Sequence, residues 1–286
     1  MNHLRTQNFP TNYPHPSKSG ALMEQKDGRT AMLLDFVHGK RGDEVLAADE
    51  GKTDKMLTEL SAALAKLHQV SWPSDRRLRD IRSGYPLCNT GDLLRGEELA
   101  SLKADDRFRD HPFVALVEKL TPWLRGLYDS EVPWGLIHGD AFLDNTLYED
   151  GPAGSGQCKL LALVDWEDSC VGPYVVDLAV CASACCFSAA NELMRPRLLV
   201  LLKEYLRQRK LSDLEIQTFP DFMAAGSLAC AFYRFCEFNV RQPDADAKAK
   251  EGYHLMEQRA QLLLGGAVRE AVAGALQEAV SAAKIG

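Results

Sequence analysis

Over residues 53–69 apolar side chains return every three or four positions, at Met56, Leu57, Leu60, Ala63, Leu64 and Leu67. That spacing predicts an amphipathic helix with one buried face. Asp54 in its first turn and Lys66 and His68 in its last suit the helix dipole, so His68 reads as a helix-end residue. The same period over 112–128 gathers Phe113, Leu116, Val117, Leu120, Leu124 and Leu127 on one face, with Asp110 as the expected cap. From about residue 176 the pattern is helical almost throughout. An apolar segment covers 176–188. Asn191 is the expected cap of a helix carrying Leu198, Leu199, Leu202 and Tyr205, and Ser212-x-x-Glu215 matches a capping box. The stretch 222–238 is apolar with a helical period and has Arg234 inside it. A polar loop is expected over 242–250, then helices over 250–264 and 267–283 split by Gly265-Gly266.

Strand signals are fewer and lie earlier. Residues 21–25 and 29–36 read as two strands joined at Asp27-Gly28, a strong two-residue hairpin signal. The second of them (TAMLLDF) is expected to be buried. Residues 1–18, with Pro10, Pro14 and Pro16, read as an extended loop. Residues 145–148 and 159–164 read as a second hairpin across a glycine-rich loop. Residues 71–110 are charged and irregular, with a short helix expected near 96–102; Arg76, Arg77, Arg79 and Arg82 read as solvated surface. A few early strands followed by mostly helix give an α+β class. No internal repeat is evident.

Composition narrows the class. The chain has 286 residues, 46% hydrophobic and 26% charged, as expected of an ordinary globular protein with a sizeable core. A net charge of −7 speaks against a general nucleic-acid binder. No apolar run is long enough to span a membrane, and the first residues lack a signal-peptide core. A cytoplasmic location with no membrane partner is expected. The eight cysteines lack zinc-ribbon spacing; Cys181, Cys185 and Cys186 read as small buried residues of a reducing compartment.

The chemistry concentrates in residues 134–180. His138-Gly139-Asp140 is followed five residues after the Asp by Asn145, the D-x-x-x-x-N spacing of a kinase catalytic loop. Gly-Asp is also ordinary turn chemistry. Asp165, after the apolar run 159–164, sharpens the reading, because the hairpin would return it close to Asn145. One carboxylate to orient a hydroxyl and two oxygen ligands for magnesium on nucleotide phosphates are what phosphoryl transfer requires. Arg234, on an apolar helix, should need an anionic partner, either a substrate group or a neighbour such as Glu237. Glu167 reads equally as an outer contact to the metal or a surface carboxylate, and Asp144 equally as a turn residue or a contact for a substrate ammonium.

These motifs (IHGDAFLDNTLYEDG, LVDWEDSCVGPYVVDLAV and AFYRF) resemble the aminoglycoside phosphotransferase and choline kinase group of small-molecule kinases, and within it the homoserine kinase-like branch. The resemblance runs from about residue 9 to about residue 264. It implies a protein-kinase-like fold, with residues 1–40 a remnant of the N-terminal β lobe and hinge and 41–286 a mostly helical catalytic lobe. It implies ATP and Mg2+, with Asp140 as the catalytic carboxylate and Asn145 and Asp165 as metal ligands. Asp35, Phe36 and Val37 fall at the adenine hinge. Asp177 and His138 would support the catalytic loop, and Arg234 would face the carboxylate of the substrate. Homoserine is the first expected substrate; hydroxylysine, choline, a sugar and an aminoglycoside are substrates of related families. The chain departs from the family pattern in having no glycine-rich phosphate loop and no nucleotide-contacting strand lysine ahead of the hinge. The resemblance therefore also carries the expectation that the 286-residue chain has little or no kinase activity while an upstream-extended form is active, or else that it is an inactive kinase-like binding module.

Overall fold

The computed structural model describes residues 1–71, 89–152 and 154–285. Among the described residues, nine short strands precede or interrupt a helical body. β1 (Pro14–His15) pairs antiparallel with β4 (Leu33–Leu34), and β2 (Glu24–Lys26) with β3 (Arg29–Ala31). β5 (Lys40–Arg41), β7 (Thr146–Asp150) and β8 (Cys158–Leu163) form an antiparallel sheet in that order. β6 (Trp134–Ile137) pairs with β9 (Cys170–Pro173), register Ile137 to Cys170.

The helices follow the periodicity. Thr53–Leu67 buries Met56, Leu57, Leu60 and Leu64 and packs on Arg195–Gln208. The long helix Asp213–Cys236 packs on Tyr174–Cys185 on one side and His254–Leu264 on another. Its start is the expected capping box: the Ser212 hydroxyl accepts from the Glu215 N–H and Glu215 accepts from the Ser212 N–H. Gly266, at φ +76°, separates His254–Leu264 from Gly266–Ile285. No helix among the described residues is long and apolar enough to cross a membrane.

Several expectations are corrected. The strand expected over 29–36 is two short pieces and is exposed: Leu33 is 68% and Phe36 82% accessible. The Asp27-Gly28 hairpin forms with both residues at positive φ, but no described element covers its apolar side chains. Residues 1–18 are not simply a loop. Asn2–Thr6 is a helical turn, and Leu4 and Phe9 are buried in the core, enough apolar surface to anchor an otherwise polar segment. Helix Pro112–Tyr128 is capped by His111, whose Nδ1 accepts from the Phe113 N–H, rather than by Asp110. Asn191 caps nothing; it sits at φ +61° and its amide bridges the Leu255 carbonyl and Arg259. The expected loop at 242–250 contains the turn of helix Ala247–Glu251, capped by Asp246. Where one short helix was expected near 96–102, two occur, Asn89–Arg95 and Glu97–Ala104. Arg76, Arg77, Arg79 and Arg82 lie outside the described residues. Of the seven described cysteines, all but Cys230 are buried.

Candidate active site

The site is built on the loop that leaves β6. A strand end leaves backbone N–H groups without ladder partners, and here a buried carboxylate takes them. Asp177, on the first turns of helix Tyr174–Cys185, accepts from the His138 N–H at 2.7 Å and the Gly139 N–H at 2.8 Å. His68 donates Nε2–H to the same carboxylate at 3.1 Å and accepts at Nδ1 from the Tyr205 hydroxyl at 2.6 Å. Arg209 extends the chain, reaching Tyr205 at 3.2 Å and pairing with buried Glu215 at 2.9 Å. Burial depresses the His68 pKa and keeps the ring neutral. Burial also opposes ionisation of Asp177, but the hydrogen bond from His68 and the neighbouring backbone donors outweigh it, and its carboxyl lies below the usual range. His68 was expected to be only a helix end. The polar character of that position pointed nowhere, because its partners are 109 and 137 residues away.

His138 holds the other side of the loop. Its Nε2–H donates to the Val164 carbonyl at 2.9 Å, fixing the tautomer whose Nδ1 accepts from the Asp140 N–H at 3.4 Å. Its ring lies against Trp166, which donates to Thr11 Oγ1 at 2.8 Å and meets Phe9 edge-on. The N-terminal segment therefore clamps the strand end that carries Asp165. Gly139, at φ +87°, passes so close to the Asp168 backbone oxygen that a Cβ there would collide with it.

Asp140 and Asn145 are directly joined. Asn145 Nδ2 donates to the Asp140 carbonyl at 2.8 Å and to Asp140 Oδ2 at 2.9 Å. Among the described residues, no donor reaches Asn145 Oδ1. Val164 N–H donates to the Asn145 carbonyl at 2.9 Å, so β8 delivers Asp165 beside Asn145, with Asp165 itself at φ +64°, a strained conformation for a non-glycine residue. The Asp165 carboxylate is exposed and forms no ion pair among the described residues. Free hard oxygen donors on adjoining loops fit a magnesium-type cation.

Asp140 has an unusual environment. Burial pushes its carboxyl up to about 6; the nearby Asp168 charge adds to this, the Asn145 hydrogen bond opposes it, and Asp165 adds again. Asp168 went unremarked in the sequence, although it stands in the same DWED run; it is half-buried and its own carboxyl is raised, first by burial and then by Glu167 and Asp165. Asp168→Asn removes a negative neighbour, so Asp140 should ionise more readily and titrate below about 6. The 13C carboxyl resonance of Asp140 followed against pH reads this directly, and an unchanged midpoint would mean that the Asp168 charge is not felt.

A cavity of about 340 Å3 opens beside the loop, lined by Asp140, Asp144 and Arg234 together with Phe142, Ser183, Ser227, Cys230, Met256 and Arg259. Arg234 does not pair with Glu237, which is engaged by Arg241 and Gln242; its Nη1 donates to the Gly252 carbonyl at 3.3 Å. Asp144 lines the cavity mouth and is exposed; its carboxyl is raised by partial burial and by Asp43. Arg259 was missed. It shares the buried face of its helix with Ala260 and Leu263, and nothing in the local sequence pattern singles it out. Asp35, Phe36 and Val37 do not line this cavity. The Asp35 carboxylate is held by His15 and by the Tyr13 N–H at 3.2 Å, and the exposed Phe36 ring meets His38 edge-on. Chain continuity nonetheless ties this segment to the loop, since Lys40 and Arg41 pair with β7 directly after Asn145.

The chain is similar in sequence and fold to known proteins. The family model described as "Phosphotransferase enzyme family" matches residues 1–211. The homoserine kinase of Rhodospirillum rubrum is 26% identical over 262 residues, covering 89% of this chain and 73% of that one. The homoserine kinase of Rhodopseudomonas palustris is 26% identical over 247 residues, covering 83% of this chain and 66% of that one. The chain thus spans about two thirds to three quarters of the length of these relatives. Among solved structures, the amicoumacin kinase hAmiN, in complex with AMP-PNP and Ca2+, superposes with a TM-score of 0.65 at 14% identity, over 94% of this chain and 78% of that one. The Plasmodium vivax ethanolamine kinase does so with a TM-score of 0.66 at 12% identity, over 94% and 72%. The fold is therefore the α+β, protein-kinase-like one, and the chain belongs to the phosphotransferase enzyme family.

Proposed function

We propose that the protein is an ATP-dependent kinase that phosphorylates the hydroxyl of a small amino acid, homoserine first. The observation that carries this reading is that Asp140 and Arg234 line one cavity of about 340 Å3. A proton acceptor and a guanidinium that forms no ion pair among the described residues suit a molecule with a hydroxyl at one end and a carboxylate at the other. The likeness to bacterial homoserine kinases supports the choice.

In this reading Asp140 accepts or orients the proton of the substrate hydroxyl, held in place by Asn145 and the Asp177 brace. Asn145 Oδ1 and Asp165 are the residues that would hold Mg2+. A bound divalent cation supplies neutralisation of the nucleotide phosphate oxygens. Asp35, Phe36 and Val37 are proposed for the adenine, within the segment 1–40 that we read as belonging to the N-terminal β lobe and hinge. Asp144 is proposed for the substrate ammonium. With a loose transition state, positioning matters more than basicity, so an Asp140 that titrates near 6 is ionised and competent at neutral pH.

The test is ATP consumption on homoserine, hydroxylysine, choline, ethanolamine and an aminoglycoside, measured with the 286-residue chain and with an upstream-extended form. Homoserine should give the highest kcat/KM; turnover of none of these compounds by either form would contradict the reading. The metal assignment has its own check. Nucleotide should bind more tightly with Mg2+, and Asp165→Asn should remove that gain; equal binding with and without the metal in the unmodified protein would sink it.

A further inference from the structure

Arg259, on helix His254–Leu264, is only 4% exposed, yet among the described residues every partner it has is neutral. Its Nε donates to Asn191 Oδ1 at 2.9 Å, its Nη1 to the Ser183 carbonyl at 2.6 Å, and the guanidinium lies 4.7 Å over the Phe187 ring. Among the described residues its Nη2 has no acceptor, and it forms no ion pair. A buried charge in that state is costly unless an anion completes it. The second guanidinium of the cavity, Arg234, is only partly buried; it bonds one carbonyl, lies beside the Cys230 thiol and forms no ion pair among the described residues. The two are close enough to repel. Burial holds the Arg259 pKa below its ordinary value, and the Arg234 charge works in the same direction. Folding has set two like charges on one small cavity and left donors on both unused. Asn191 is in the left-handed region at φ +61°, so its strained backbone and its amide both serve to aim Arg259.

We propose that Arg234 and Arg259 form a two-arginine clamp for the carboxylate of the phosphoryl acceptor, and that Arg259 is the residue that makes this cavity select amino acids over amino alcohols. The inference rests on the reading that the acceptor occupies this cavity. A planar guanidinium fork matches a carboxylate with two parallel N–H donors, which a lysine cannot reproduce. Asp144 on the same lining offers a carboxylate for the ammonium, so the occupant is a zwitterion rather than a plain anion such as phosphate.

Calorimetric binding to the nucleotide-free chain tests this without requiring turnover. The ligands are L-homoserine, L-2-aminobutyrate (carboxylate without hydroxyl), 3-amino-1-propanol (hydroxyl without carboxylate) and inorganic phosphate. Both carboxylates should bind roughly 10- to 100-fold tighter than the amino alcohol, as charge-assisted bonds to a desolvated guanidinium require. Phosphate should bind more weakly than either. Arg259→Met should erase the preference and Arg259→Lys should keep only part of it. Because Arg259→Met also loses two internal hydrogen bonds, thermal melting checks its fold, and Arg234→Met, which gives up one long contact, provides a second reading. Equal binding of amino acid and amino alcohol by the unmodified chain, tighter binding of phosphate, or a preference that survives in folded Arg259→Met would each overturn the clamp. Homoserine phosphorylation without a carboxylate preference would defeat the clamp and leave the kinase reading standing; a carboxylate preference lost in Arg259→Met, with no acceptor phosphorylated, would do the reverse.

Discussion

Asp140→Asn is expected to lower kcat for homoserine by roughly 10²–10⁴-fold, the range contributed by a positioned proton acceptor. The substitution is nearly isosteric and keeps an oxygen for the Asn145 amide, which now bonds Asp140 Oδ2 at 2.9 Å. The fold should therefore survive; removing a carboxylate from beside Asp168 and Asp165 relieves repulsion within the loop. Nucleotide affinity should change little, because Asp140 is assigned to the hydroxyl and not to the phosphates. The measurement is kcat at saturating ATP and homoserine in whichever form of the protein turns over, with a thermal melt as control. A variant that works at the unmodified rate would remove Asp140 from the chemistry.

Asp177→Ala, in the helix that braces the loop, should be strongly destabilising. It leaves the His138 N–H, the Gly139 N–H and His68 Nε2–H without their acceptor, all in a region where the side chains of Asp177 and His68 have no accessible surface. Breaking a buried charged network of this kind costs about 3–5 kcal/mol. Urea denaturation at pH 7 should show a lower midpoint with an unchanged slope. The pH dependence has a definite sign. A carboxyl whose folded pKa lies below its unfolded value contributes stability above the unfolded value and loses it as pH falls through the folded one. The gap between the two proteins should thus be full at neutral pH and shrink in the acid range below about 4. A gap that does not change with pH would mean that Asp177 acts by shape alone.

Much of the site was legible because its chemistry is local in sequence. Asp140 and Asn145 are five residues apart on one loop, and a hairpin with recognisable turn residues returns Asp165 to them. Asp177 lies further on, in the first turn of the helix that follows β9. The helices were equally readable wherever an apolar period ran without interruption, as over Thr53–Leu67 and Pro112–Tyr128. What escaped was set by tertiary partners. His68 looks like any polar residue at a helix end until Asp177 and Tyr205 close on it. Arg259 is one charge in a polar-looking helix, and its burial depends on where Asn191 and Phe187 fall. Exposure of the strand around Leu33 was illegible for the complementary reason: an apolar strand reads as buried, whereas burial requires a covering element. Asp110 and Asn191 failed as caps because a neighbouring side chain, or a different task, took the position.

The most direct measurement of the central claim is where the γ-phosphate of ATP goes. 31P NMR of the protein with ATP, Mg2+ and L-homoserine should show a phosphomonoester growing as ATP is converted to ADP, coupled to the γ-methylene protons of homoserine and absent with Asp140→Asn. Conversion of ATP to ADP and inorganic phosphate with no phosphomonoester, or an ester that forms at the same rate without Asp140, would contradict the account.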